Sequence, residues 1–125
     1  MKIQTILTQL SLLDAGTDIS SAPVSSVINT AGAEAITLLA SVTGASSDVI
    51  TITVETSADG ITYYPLSVLS DASGSTSVYN RDFDFTMDAT ANVFQIPLNV
   101  QNRWTKITIE GDGTNTAKLD VEVLS

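Results

Sequence analysis

From Val49 to Glu55 the chain reads Val-Ile-Thr-Ile-Thr-Val-Glu. Ile50, Ile52 and Val54 fall on one side of an extended backbone; Thr51, Thr53 and Glu55 fall on the other. Successive side chains of a strand point to opposite faces, so this segment predicts a strand with one face in a core and one in solvent. Threonine is β-branched and suits such a half-buried pleated surface. The chain holds 17 Thr and 15 Ser, enough to repeat that pattern throughout its length.

The alternation recurs at Ile36, Leu38, Ala40 and Val42, at Phe94, Ile96 and Leu98, at Ile107 and Ile109, and at Leu119, Val121 and Val123. Three segments supply turn chemistry between strands: Thr43–Asp48, Ser57-Ala58-Asp59-Gly60 and Gly111–Asn115. All three are expected as hairpins or tight turns, and Asp59-Gly60 tolerates the positive φ of a primed hairpin turn leading into a strand at Ile61. Ser70–Ser77 is expected to be a polar loop. Pro65 and Pro97 suit strand ends or sheet edges, where a missing N–H is tolerated, so the first hairpin belongs at an edge.

The first residues fit two spacings. Ile3, Ile6, Leu7, Leu10 and Leu13 have helical spacing, whereas Ile6, Thr8, Leu10 and Leu12 suit a strand. A strand is expected, because no capping residue precedes the run and the rest of the chain is β. Residues 1–22 then form a first strand or an extended arm. About eight short strands at regular intervals predict an all-β fold. We expect a single domain over residues 1–125, an antiparallel β-sandwich resembling a jelly roll.

Composition removes several functions. There is no Cys and no His, which excludes disulfides, thiolate nucleophiles, Cys- or His-based metal sites and the Ser–His and Cys–His catalytic pairs. Five Lys and Arg against 14 Asp and Glu give a formal charge of −9, unlike the basic footprint of a nucleic-acid binder or an anionic-membrane binder. Gln4, Thr5, Thr8 and Gln9 interrupt the N-terminal apolar residues too early for a secretory signal. No run approaches the roughly 20 apolar residues of a membrane helix.

Three groups of residues merit attention as sites. Asp82, Asp84 and Asp88 place carboxylates on one strand face, opposite Phe83 and Phe85. Such a face can chelate Ca²⁺, but the spacing lacks the glycine and terminal Glu of an EF-hand, and a solvated strand face is the simpler expectation. Paired carboxylates suit glycoside hydrolysis only at a set separation, which sequence does not give. Tyr63, Tyr64, Tyr79 and Trp104 form an aromatic set. Trp104 follows Arg103 and shares a face with Lys106 and Thr108, so it is expected to be partly exposed, as a sugar-stacking platform, an interface anchor or a rim plug. Asp112-Gly113-Thr114-Asn115 is expected as a simple turn rather than a Ca²⁺ loop. No catalytic residue, cofactor or metal site is expected, and the chain is expected not to be an enzyme.

Val54-Glu55-Thr56-Ser57-Ala58-Asp59-Gly60-Ile61-Thr62-Tyr63 and Asn102-Arg103-Trp104-Thr105-Lys106-Ile107-Thr108-Ile109 together resemble small β-sandwich virion proteins of tailed bacteriophages. Leu12–Thr17 and the Ser-rich stretch after it fit the same resemblance. It implies a capsid decoration, or cement, protein made in the host cytoplasm and located in the virion. Its implied partner is the major capsid protein, and its implied state a homo-oligomer, with a trimer favoured. A tail or head-completion role is a variant of the same reading. Carbohydrate-binding jelly rolls share the Ser-x-Asp-Gly turn and the Arg-aromatic strand, which keeps a glycan ligand open. The contact candidates are Trp104, Arg103, Tyr63, Tyr64 and Tyr79.

Overall fold

The computed structural model describes residues 7–20, 22–65, 67–72, 75–80, 82–98 and 102–125, with backbone alone from 67 to 82. The described elements are all strands: β1 (Leu7–Asp18), β2 (Val24–Asn29), β3 (Ala35–Thr43), β4 (Val49–Ser57), β5 (Tyr64–Pro65), β6 (Ser67–Ala72), β7 (Ser75–Asn80), β8 (Asp82–Thr86), β9 (Ala91–Leu98), β10 (Trp104–Gly111) and β11 (Thr116–Leu124).

Two antiparallel sheets pack face to face. One has the order β1-β11-β3-β9, the other β2-β10-β4-β5, with β8 also paired to β4. Because β10 occupies one edge of β4, β5 and β8 lie end to end along the other. β5 pairs Glu55 and Thr56, while β8 pairs Val49 to Thr53. Counting that shared edge once, eight strand positions remain, and successive ones alternate between the sheets except at the β4–β5 hairpin. This is the connectivity of a jelly roll.

The alternation read from sequence sets the core. Ile36, Leu38, Val42, Ile50, Ile52, Val54, Ile107, Ile109, Leu119 and Val121 are all buried between the sheets. Thr51, Thr53 and Thr108 stand on the outer face. The N-terminal segment is a strand from Leu7, paired with β11 and interrupted by register shifts between Ser11 and Leu13 and between Leu13 and Thr17. Leu12 and Leu13 pack against the core, and Ser26 of β2 donates its hydroxyl to the Leu12 carbonyl at 3.3 Å. The first strand therefore touches the second sheet where its register shifts.

One open alternative is decided and two local expectations are corrected. Thr43–Asp48 and Gly111–Asn115 reverse the chain, but each carries it from one sheet to the other and closes no hairpin. Local turn residues fix a reversal; which strand pairs with which is set by long-range packing. The Asp59-Gly60 turn does close a hairpin, but the return strand begins at Tyr64, after bends through Thr62, rather than at Ile61. Ser70–Ser77, expected as a loop, lies mostly in the β6–β7 hairpin, where Ser70 pairs with Ser77 and Ala72 with Ser75. Polar strands can pair through backbone hydrogen bonds alone and leave no apolar alternation to read.

Candidate functional site

The Ser57–Tyr63 loop is built by two short polar side chains. Ser57 Oγ accepts from the Gly60 N–H at 2.9 Å and donates to Asp59 Oδ1 at 2.9 Å. Asp59 Oδ1 also accepts from the N–H groups of Ile61 at 2.8 Å and Thr62 at 2.9 Å. These backbone bonds, Thr62 first, hold the Asp59 carboxyl below its ordinary value of 3.8. Gly60 sits at φ +77°, which only glycine adopts at low cost.

The Trp104 indole covers this turn. A Cβ added at Gly60 would lie 3.1 Å from Trp104 Nε1 and 3.3 Å from Cδ1 and Cε2. Trp104 lies between Asn29 and Ser57 in the ladder, and Lys106 two residues on lies between Val27 and Glu55. Lys106 Nζ stands 5.3 Å from the centre of the Tyr63 ring and 3.9 Å from Glu55 Oε1. A cation at that distance is attracted by the ring quadrupole. Trp104, Lys106, Tyr63 and Glu55 thus form one cluster on the outer face of the second sheet, with Arg103 exposed beside it.

A buried polar layer fixes the strand entry beneath the cluster. Thr30 donates its hydroxyl to the Asn102 carbonyl at 2.6 Å, so the Thr105 hydroxyl 3.1 Å away donates to Thr30. The Thr30 N–H reaches the Arg103 carbonyl at 2.6 Å, and Asn102 Nδ2 reaches Thr56 Oγ1 at 3.1 Å. Leu7, Leu124 and Ala35 lie at this same end of the molecule, because β3 begins just after β2 reaches Trp104.

The aromatic set therefore divides. Trp104 and Tyr63 come together; Tyr64 pairs with the inward-facing Thr56 and is 66% exposed at the flank. Tyr79 lies in β7 opposite Val68, and its side chain lies outside the described residues. Asp84 is exposed opposite half-buried Phe83 and Phe85, and it accepts from Thr51 Oγ1 at 3.0 Å. Asp88 lies beyond the strand and accepts from Asn92 Nδ2; the Asp82 side chain lies outside the described residues. Among the described residues no three acidic side chains converge as a metal site.

Asn115, in the turn between β10 and β11, is buried. Its amide donates to Asp48 Oδ2 at 3.0 Å and to the Thr43 carbonyl at 3.3 Å, and its Oδ1 accepts from the Gly113 N–H at 3.0 Å. That constellation is a latch between loops. A feature that the sequence did not signal is a slot of about 540 Å³ between β8 and β9, lined by Ile52, Phe83, Phe85, Phe94 and Ile96. Phe85 and Phe94 stack there with centroids 4.6 Å apart. Alternation had placed these side chains in the core, and only the strand order shows that they lie at its open flank.

The fold defines a jelly-roll β-sandwich with an aromatic and basic cluster at one end. No protein-family model, curated protein or solved structure matches the chain.

Proposed function

We propose that this chain is a virion structural protein of a tailed phage, a decoration protein that docks on the head shell and stabilises it by protein–protein contacts. The observation that carries the proposal is the cluster of Trp104, Tyr63, Lys106 and Arg103 on an otherwise acidic chain. Of the three cations among the described residues, Arg103 and Lys106 both stand there, while Lys118 is bound to Asp120 on the other sheet. Trp, Tyr and Arg are the residue types that most often anchor interfaces. The resemblance of the two quoted segments to phage virion β-sandwiches points the same way. A charge of −9 keeps the protein soluble before assembly.

The test is binding to purified expanded capsids of the source phage, with mass spectrometry of the virion. Saturable binding that Trp104→Ala weakens at least tenfold supports the proposal. Absence from the virion together with no capsid binding overturns it.

A glycan ligand is the second reading, supported by Tyr63 and Trp104 sharing one outer face. Jelly rolls serve both capsid and lectin proteins, so the fold does not choose between them. Titration with a sugar panel decides: a stacking platform changes Trp104 fluorescence saturably.

A further inference from the structure

Each sheet edge is a row of backbone groups open to pairing, and proteins protect such edges with bulges, charges, proline or cover. Of the four edges of the two packed sheets, three carry at least one such feature. β1 carries two register shifts; β2 is touched by β1 at the Ser26–Leu12 hydrogen bond; β8 includes Asp82 and Asp84. β9 differs. Its eight residues, Ala91-Asn92-Val93-Phe94-Gln95-Ile96-Pro97-Leu98, include no charge in a chain of −9. Among the described residues it pairs only with β3.

The hydrogen-bond phase of β9 follows from its start. The Gly44 N–H bonds to the Thr90 carbonyl at 3.0 Å, in register with the Thr43–Ala91 pair. Antiparallel ladders alternate bonded and non-bonded pairs, so Asn92, Phe94, Ile96 and Leu98 bond to β3. Ala91, Val93, Gln95 and Pro97 therefore turn their backbone groups to the free edge. Pro97 has no N–H, which limits a full outer ladder to Ala91–Gln95. That stretch is centred on Val93, whose side chain is 81% exposed.

We propose that a second copy of this chain pairs with this edge, β9 against β9, about a two-fold axis at Val93. Ala91 then meets Gln95 of the second copy, and Val93 meets its own equivalent. Every pair uses outward N–H and C=O groups, and Pro97 falls just outside the ladder. The strand is its own complement under a two-fold, as an isologous contact requires. Having no charge, it brings no carboxylates of its own together. The slots lined by Phe83, Phe85 and Phe94 open on the same flank, so joining the copies covers both. The proposal does not depend on the virion reading, and it competes with the trimer which that resemblance implies.

The test combines sedimentation with cross-linking of the full chain. The wild type is expected to sediment as a dimer, and Val93→Lys, which sets like charges opposite each other, to weaken that dimer at least tenfold with an unchanged far-UV spectrum. In a bonded antiparallel pair the Cα atoms lie about 5.5 Å apart, within disulfide reach. The chain has no native cysteine, so Val93→Cys should oxidise to a covalent dimer while Val27→Cys, on the opposite flank, does not. A wild-type monomer or trimer, a dimer unaffected by Val93→Lys, or equal cross-linking through Val27→Cys overturns the proposal.

Discussion

Asn115 Nδ2 donates to Asp48 Oδ2 across 3.0 Å, joining two loops 67 residues apart in sequence. Each of those loops carries the chain from one sheet to the other, so this contact ties together two of the crossings at that end of the sandwich. The packing leaves little room: a Cβ at Gly113 would lie 2.6 Å from the Asp48 carboxylate oxygens.

Replacing Asn115 tests that latch. Asn115→Ala strands the Gly113 N–H and the Thr43 carbonyl without their partner and is expected to cost about 2–4 kcal/mol, read from urea midpoints. Asn115→Asp sets a second carboxylate against Asp48. Repulsion raises the pair's folded pKa above the unfolded value, so the stability loss is largest at neutral pH and shrinks as pH falls towards 4. A deficit independent of pH would show that charge is not its cause.

Gly60→Ala should destabilise the protein by about 1–2 kcal/mol, since it places a side chain at positive φ and presses a methyl on Trp104. As Trp104 is the one tryptophan of the chain, its emission reports that displacement directly. An unchanged spectrum with unchanged stability would refute the contact.

The Asp59 turn predicts an acid-sensitive step. Its folded pKa lies below 3.8 because the Thr62 and Ile61 N–H groups and the Ser57 hydroxyl favour the carboxylate. The unfolded chain takes up this proton first, so the contribution is present above about pH 3.8 and is lost as pH falls through the folded value. Urea midpoints should drop on acidification below pH 4, and Asp59→Ala should flatten part of that drop. The flattening is partial because the carboxyls of Asp18 and Asp120 are shifted in the same direction.

Ile107 is buried at the centre of β10, between β2 and β4. Ile107→Ala is expected to cost about 2–5 kcal/mol in denaturant unfolding. Thr108→Ala, one residue on and facing outward, should cost under about 1 kcal/mol, most of it from the hydroxyl contact with Ser25 at 2.8 Å.

Period-two alternation determined the strand class and the facing of most strands from sequence alone: Ile50, Ile52 and Val54 went inward and Thr51 and Thr53 outward by steric necessity. Parity likewise placed Trp104 beside Lys106 on the outer face. β2 was not legible, because Val24-Ser25-Ser26-Val27-Ile28-Asn29 scarcely alternates and is held by its pairing with β10. Asn115 was equally hidden, since Asp-Gly-Thr-Asn reads as a solvated turn until another loop closes over it. Alternation assigns a residue to a face but says nothing of which strand lies beside it. Only the tertiary structure decided that, among the described residues, β8 and β9 end their sheets on one flank, leaving Phe83, Phe85 and Phe94 along an open slot and Val93 on an unpaired edge.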